Sequence, residues 1–303
     1  MTRRGIRIGR LRLRNPVMTA SGTCGYGVEL ARYLDIATLG AVCTKGLSLR
    51  PRIGNRPPRI CETPAGMLNA IGLANIGVEA FVRDKLPALR AAGATVVANV
   101  FGETVEEFVQ VARRLAGEQG IHALELNVSC PNVAKGGLAF GTDPARLADV
   151  TRAVRDAVDL TVIVKLPPET ADVGALARSA VDAGADALSV MNTIRGMAID
   201  VRTRRPRIAN VTGGLSGPAV RPITVRLVYE VSRAVPAPVI GVGGVARWED
   251  AAEMMLAGAS AVQVGSASFA NPRAPLEVLS GLASFCRRQG IDYADLVGAV
   301  RLD

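Results

Sequence analysis

Val239-Ile240-Gly241-Val242-Gly243-Gly244, a helix-like stretch from Trp248 to Ala257, and then Ala261-Val262-Gln263-Val264-Gly265-Ser266-Ala267 form one unit stated nearly twice. A four-residue apolar run ending in Gly reads as a buried strand. The amphipathic segment after it, closed by Gly258, reads as a helix. The same unit recurs towards the N-terminus. Candidate strands are Val17–Ala20, Ala41–Thr44, Thr95–Val100, Ala123–Val128, Thr161–Leu166 and Ala187–Met191. Helix-like stretches occupy Val28–Asp35, Val78–Ala92, Val105–Gln119, Pro144–Val158, Val173–Ala183, Ile223–Ala234 and Leu276–Gln289. Thr104 before Glu106-Glu107 and Asp143 before Pro144 supply helix-start signals.

Strict β-then-α alternation predicts an α/β fold with a parallel sheet. Eight units predict a closed (β/α)8 TIM barrel rather than an open doubly wound sheet. No GxGxxG follows the first strand, which argues against a Rossmann fold. No linker rich in Pro, Gly or Ser divides the chain, so residues 1–303 read as one domain; barrels of this kind commonly reach that size. Gly5–Arg14 reads as a short hairpin capping the barrel bottom. Hydrophobic residues are 49% and aromatics 4%, so the core is expected to be aliphatic.

No apolar run reaches the roughly 18 residues of a membrane span. Met1-Thr2-Arg3-Arg4 leads into alternating Ile6, Ile8, Leu11 and Leu13 rather than a signal core, so a cytoplasmic location is expected. The formal charge is +9. Its basic residues are scattered apart from Arg3–Arg14 and Arg202–Arg207, with no aromatic platform, so the charge reads as a solvated surface and not a nucleic-acid site. The basic N-terminal hairpin also offers a face to an acidic partner subunit. Cys24, Cys43, Cys61, Cys130 and Cys286 are spread without a CxxC pair, which argues against disulfides, a zinc site or an iron–sulfur cluster held by this chain alone.

Barrel active sites lie at the C-terminal ends of the strands. The long connections Gly46–Asn75, Ser129–Thr142 and Asn192–Pro222 are expected to build the pocket. The glycine turns Gly243-Gly244 and Gly265-Ser266 follow strands seven and eight, the usual barrel phosphate site, where backbone N–H groups approach an anion closely. Cys130 sits in Asn127-Val128-Ser129-Cys130-Pro131-Asn132, at the end of strand four. That position singles it out as a reactive thiol, whereas Cys43, Cys61 and Cys286 read as small buried hydrophobes and Cys24 as a weaker candidate. The single histidine, His122, begins a strand at the opposite face. A Ser–His–Asp or Cys–His arrangement and a His-rich metal site are therefore excluded, and no metal site is expected. Of 36 basic residues only Lys45, Lys85, Lys135 and Lys165 are Lys, leaving 32 Arg. Lys45 and Lys165 end apolar runs and are candidates for chemistry that needs a compact ammonium. Asn69, Asn75, Asn99, Asn127, Asn132 and Asn192 suggest recognition of a flat ring with alternating donors and acceptors.

Asn69-Ala70-Ile71-Gly72-Leu73, Asn127–Asn132, Val164-Lys165-Leu166 and Gly241-Val242-Gly243-Gly244 together resemble dihydroorotate dehydrogenase of class 1, over nearly the whole chain. Ser21-Gly22-Thr23 with Gly25-Tyr26-Gly27, and Glu62-Thr63-Pro64 with Gly66-Met67-Leu68-Asn69, look more like the NAD-linked class 1B catalytic subunit than the fumarate-using class 1A. The resemblance implies one FMN, its phosphate on Gly243, Gly244, Gly265 and Ser266. Lys165 would lie at the flavin pyrimidine end, and Ser21, Lys45, Gly46, Asn99, Asn127, Met191 and Gly217 would complete the shell. Dihydroorotate or orotate would contact Lys45, Asn69, Ala70, Ile71, Gly72, Leu73, Asn127, Asn132, Asn192 and Thr193. Cys130 would act as general base, with Lys45 supplying positive charge. The resemblance further implies a homodimer core, and a heterotetramer with a partner carrying FAD and a [2Fe–2S] cluster that hands electrons to NAD. Asn55-Arg56-Pro57-Pro58 departs from the family pattern in carrying Arg where Pro is usual, and reads as peripheral to the chemistry. Other FMN barrels, such as dihydropyrimidine or dihydrouridine oxidoreductases, and phosphate-binding barrel lyases or isomerases share parts of this pattern.

Overall fold

A computed structural model describes residues 5–129 and 140–303. Eight strands form one parallel sheet: β1 (Val17–Thr19), β2 (Val42–Cys43), β3 (Val96–Val100), β4 (Ala123–Asn127), β5 (Thr161–Leu166), β6 (Ala187–Val190), β7 (Val239–Val242) and β8 (Ala259–Val264). Their order is β1-β8-β7-β6-β5-β4-β3-β2. A parallel bridge between Met18 and Ala41 joins the two ends and closes the barrel. The strands are Val-, Ile- and Ala-rich and almost wholly buried, as a sheet covered on both faces requires.

The helices that cover the sheet are α1 (Val78–Asp84), α2 (Leu86–Ala91), α3 (Val105–Ala116), α4 (Pro144–Ala157), α5 (Val173–Asp182), α6 (Arg221–Ala234), α7 (Trp248–Leu256), the short α8 (Ala267–Ala270) and α9 (Ala274–Gln289). Thr104, Asp143 and Asp172 cap α3, α4 and α5 by accepting from backbone N–H groups of the first turn. Arg155 pairs with Asp186 at 2.8 Å, and the same carboxylate accepts from Val162 N, so α4 is fastened to the start of β5. No helix among the described residues is long and apolar enough to cross a membrane.

Ile6–Ile8 and Leu11–Leu13 form the expected hairpin. Thr161 Oγ1, at the N-terminal end of β5, accepts from Arg10 N and Leu11 N, each at 3.1 Å, which docks the hairpin on the barrel bottom.

Two helix expectations need correction, and the long connections carry strands that the sequence pattern did not announce. The helix expected over Val28–Asp35 is instead two 3-10 turns, Leu30–Arg32 and Ile36–Thr38, the second capped by Asp35. The helix expected over Val78–Ala92 breaks at Lys85, because Pro87 has no N–H to give to the carbonyl four residues back and its ring crowds that carbonyl, so it is tolerated only in the first turn of a new helix. The long connections after β2 and β6 are not merely irregular. Ile60–Thr63 and Gly66–Asn69 from the first join Ile194–Met197 and Thr212–Ser216 from the second in a four-stranded antiparallel sheet over the barrel mouth.

Candidate active site

Every barrel strand delivers one of the candidate residues at its C-terminal end. Ser21 follows β1, and Lys45 follows β2. Asn99 and Lys165 lie one residue inside the ends of β3 and β5, while Asn127 ends β4. Met191, Gly243 and Gly265 directly follow β6, β7 and β8.

The floor of this mouth is polar, which the sequence reading missed. Glu125 in β4 is fully buried. Its Oε2 accepts from Gln263 Nε2 at 2.7 Å. Three strands separate β4 from β8 in the sheet, so the two side chains can meet only across the lumen. Oε1 accepts from Asn99 Nδ2 at 2.7 Å and from Cys43 Sγ at 3.3 Å, and lies 3.6 Å from Lys165 Nζ. Burial alone would raise the Glu125 carboxyl; the Lys165 ammonium and the amide donors of Gln263 and Asn99 outweigh it and hold it below its ordinary range. Asn99 gives its N–H to Glu125, which leaves its own Oδ1 buried without a partner. The available signal was one Glu and one Gln inside the otherwise apolar runs Ala123–Leu126 and Ala261–Val264.

The rim is electropositive. Lys45 is half-buried, and burial followed by the charge of Arg59 lowers its ammonium below the usual lysine range. Among the described residues no salt bridge involves Lys45 or Arg59. Asn192 Nδ2 donates to Asn127 Oδ1 at 3.1 Å, and Asn192 Oδ1 accepts from Thr193 N at 2.8 Å. Both carboxamides are thus fixed, which sets the direction of the loop after β6.

Asn69–Leu73 forms one wall. Asn69 Nδ2 donates to Gly214 O at 3.2 Å across the mouth sheet. Asn55 holds the wall from outside, its Nδ2 bonding Ala70 O and its backbone N bonding Ile71 O. Gly72 and Leu73 both take positive φ, 72° and 57°; for Leu that conformation is strained. Asn75 Nδ2 bonds Leu73 O and Ser48 Oγ, each at 2.9 Å, and its Oδ1 accepts from Gly77 N. Asn75 is therefore a brace for this wall and not the ring-recognition group it was expected to be. Arg56 is exposed, as its reading as peripheral requires.

At the turn after β7, Gly243 and Gly244 have φ of 143° and 78°. A side chain on Gly243 would meet Thr224 Oγ1 at 2.4 Å, and one on Gly244 would meet Arg221 Cβ at 2.6 Å. The Asp250 carboxylate accepts from Ala246 N and Arg247 N, each at 2.9 Å, and is bonded by Arg221, which holds this turn in place. Residues 241 and 262 pair in register, so the turn after β8, Gly265-Ser266, lies beside it and opens directly into α8. Ala20 N donates to Val264 O, bringing Ser21 to the same side. Gly217, with φ of 107°, ends the mouth strand Thr212–Ser216.

Cys130 and Asn132 lie outside the described residues, as does Lys135. Gly141 N bonds Val128 O at 3.0 Å, so residues 128 and 141, flanking that segment, are fixed together at the end of β4. The remaining thiols separate clearly. Cys24 is buried against Thr19 Oγ1 and Cys43 O, and burial pushes its thiol up to about 11. Cys43 and Cys286 are buried. Cys61 is not the buried hydrophobe expected: it is partly exposed on an edge strand of the mouth sheet. Lys85 pairs with Glu29 at 2.9 Å, and Glu29 also accepts from Tyr26 N. His122 Nδ1 accepts from Val96 N at 3.0 Å, a structural role at the other face.

The family model described as Dihydroorotate dehydrogenase matches residues 6–286. The catalytic subunit of dihydroorotate dehydrogenase B (NAD(+)) from Trichlorobacter lovleyi is 54% identical over 296 residues, covering 97% of each chain. The protein of the same name from Geotalea daltonii is 51% identical over 298 residues, covering 98% of each. That from Pelobacter propionicus is 53% identical over 296 residues, covering 97% of each. With matches of that extent on a barrel whose eight strand ends converge on one mouth, this chain belongs to the dihydroorotate dehydrogenase family.

Proposed function

We propose that this chain, as a single FMN-binding domain spanning residues 1–303, oxidises (S)-dihydroorotate to orotate in de novo pyrimidine (UMP) synthesis. One continuous core running from Ile6 to Leu296 supports the single domain. The barrel mouth fits a flavin on three counts. Asn99 offers a buried acceptor without a partner, Lys165 a buried ammonium not fully engaged, and Gly243-Gly244 with Gly265-Ser266 a pair of adjacent turns that leave backbone exposed to an anion. The orphaned Asn99 oxygen carries most weight, because a buried unpaired acceptor calls for a ligand donor.

Gly243, Gly244, Gly265 and Ser266 would hold the phosphate. Ser21, Lys45, Gly46, Asn99, Asn127, Lys165, Met191 and Gly217 would surround the ring system. When bound, FMN supplies the acceptor for the hydride leaving C6 of the substrate. Cys130, as thiolate, takes the proton from C5, so that the C5–C6 bond becomes a double bond. Lys45 stabilises the thiolate and, with the charge of Arg59 felt at its ammonium, draws the substrate carboxylate to the rim. Asn69 to Leu73, Asn127, Asn132, Asn192 and Thr193 read the ring edge through carboxamide and backbone groups.

The relatives' designation as a catalytic subunit supports a second chain that passes electrons to NAD. FAD and a [2Fe–2S] cluster belong on that partner, because the five cysteines here are dispersed without a CxxC pair. A homodimer core, joined by the partner into a heterotetramer, completes this reading. The deciding experiment is the visible spectrum of the purified chain under anaerobic conditions. A flavin band bleached by dihydroorotate but not by dihydrouracil is expected. A colourless chain, or equal bleaching by both, overturns the assignment.

A further inference from the structure

A carboxylate sealed inside a barrel is costly to keep ionised unless its neighbours require it. Glu125 is held by groups from four other strands: Cys43 of β2, Asn99 of β3, Lys165 of β5 and Gln263 of β8. Its grip has two consequences at the level above it. Asn99 Nδ2 is committed to Oε1, so Asn99 Oδ1 is turned away as a buried, unpaired acceptor. Lys165 Nζ sits 3.6 Å from Oε1, close enough for an ion pair but outside hydrogen-bond length, so its N–H donors stay free for another acceptor. The carboxylate also cancels part of the ammonium's field at that place.

We propose that Glu125 is a positioning residue: seated against Asn99 and Lys165, it offsets the ammonium's charge and so sets, through that charge, how strongly the site prefers reduced over oxidised flavin without touching the flavin itself. This inference rests on the flavin reading above. Reduction adds electron density to the ring, so a barrel floor with one negative charge fewer binds the reduced form more tightly.

Glu125→Gln isolates the charge. The new carboxamide keeps an oxygen towards Asn99 and Lys165 and turns its N–H2 to Gln263. Gln263, whose own Oε1 is buried and unpaired, can turn over to accept it. Glu125→Asp is the complementary variant. It keeps the charge but is too short to reach both Asn99 and Gln263, so it loosens the packing.

The experiment is a spectroelectrochemical titration of flavin-loaded parent and variants, with Tm measured alongside. For E125Q the affinity ratio of reduced to oxidised FMN is expected to rise at least tenfold, a positive shift of about 30 mV for a two-electron couple. E125D is expected to lower Tm while its ratio stays within threefold of the parent. A flavin-loaded E125Q with the parental ratio overturns the inference and leaves the flavin reading intact. An E125D shift as large as that of E125Q also overturns it, because packing and not charge would then set the potential. If E125Q does not fold, the exchange Glu125→Gln with Gln263→Glu moves the one carboxylate across the lumen and away from Lys165; the less offset ammonium is expected to raise the ratio above the parent's, and a ratio at or below the parent's overturns the inference equally. A parent that binds no FMN defeats both readings.

Discussion

Asn192 donates through Nδ2 to Asn127 Oδ1 at 3.1 Å, joining the loop after β6 to the end of β4. The two residues are 65 positions apart, and β5 separates their strands in the sheet. The bond turns two flexible carboxamides into one rigid edge with known donor and acceptor directions. Asn192 N also bonds Leu166 O, so the edge is tied to β5 as well.

Asn192→Ala should therefore act on Asn127 as well as on itself. Losing the bond leaves the Asn127 carboxamide held only by the longer bond that its Oδ1 accepts from Ser129 N at 3.4 Å, and a net hydrogen bond of about 1–1.5 kcal/mol corresponds to roughly tenfold in binding. KM for dihydroorotate is expected to rise at least that much, while the flavin spectrum stays parental. Steady-state kinetics with a parental KM would remove the pair from the substrate site.

Lys45 is kept at a cost to the fold. Its folded-state pKa is depressed, so between that value and the ordinary lysine pKa of about 10.4 the unfolded chain binds more protons, and stability rises with pH across that window. Lys45→Met removes the buried charge. Its Tm at pH 7 should exceed the parent's, and its Tm should change less with pH from 7 to 10, although turnover collapses. Calorimetry of the flavin-free proteins across that range checks the sign, because bound FMN would add its own stabilisation; a Tm below the parent's at pH 7 would show that Lys45 is stabilising.

The parts of this molecule legible in the sequence are those fixed by local pattern. Thr161–Leu166 and Val239–Val242 form strands with the expected ends, because short runs dominated by β-branched residues and bounded by Pro or Gly leave the backbone few alternatives. Gly243 and Gly244 announced the turn after β7 because only Gly takes those φ values without strain. The mouth sheet stayed hidden because its strands Gly66–Asn69 and Thr212–Ser216 contain turn-forming Gly residues and bury neither face fully. Glu125 was passed over for a different reason. Its meaning depends on Gln263, 138 residues away, and only barrel closure brings the two together.

Thiol reactivity should follow burial. Cys24 is buried, with its thiol pushed up to about 11, and Cys43 is raised well above the ordinary range by burial and by the Glu125 charge. At pH 8 neither supplies appreciable thiolate. Brief alkylation of the native protein, read by peptide mass spectrometry, should label Cys61 and spare Cys24, Cys43 and Cys286. Labelling of Cys24 before Cys61 would show that the first loop opens far more readily than its hydrogen bonds to Thr19 and Cys43 allow.

The two glycine turns proposed to hold the phosphate should differ in tolerance. Gly244→Ala places a Cβ 2.6 Å from Arg221 Cβ and 3.0 Å from Arg221 backbone, at a φ of 78°. Such strain costs about 1–3 kcal/mol, and relieving it would displace the turn that Asp250 holds. At Gly265 the nearest atom to an added Cβ is Ala20 Cβ at 3.3 Å, so Gly265→Ala asks for only a small shift. FMN content after purification should fall sharply in the first variant and little in the second; the reverse order would place the anion elsewhere.

Cys130 gives the sharpest test of the chemistry. An unperturbed thiol has a pKa of about 8.5, so a thiolate base makes turnover increase with pH below that value, with a logarithmic slope near one. Lys45 and Arg59, which form no salt bridge among the described residues, should favour the proposed thiolate and bring the break in the profile below the ordinary value. Cys130→Ala should keep its flavin spectrum and lose most turnover. In Lys45→Met, where the thiol is intact but the positive charge is missing, the break should move upward. A Cys130→Ala enzyme with parental turnover, or a profile flat from pH 6 to 9, would assign the proton to another group.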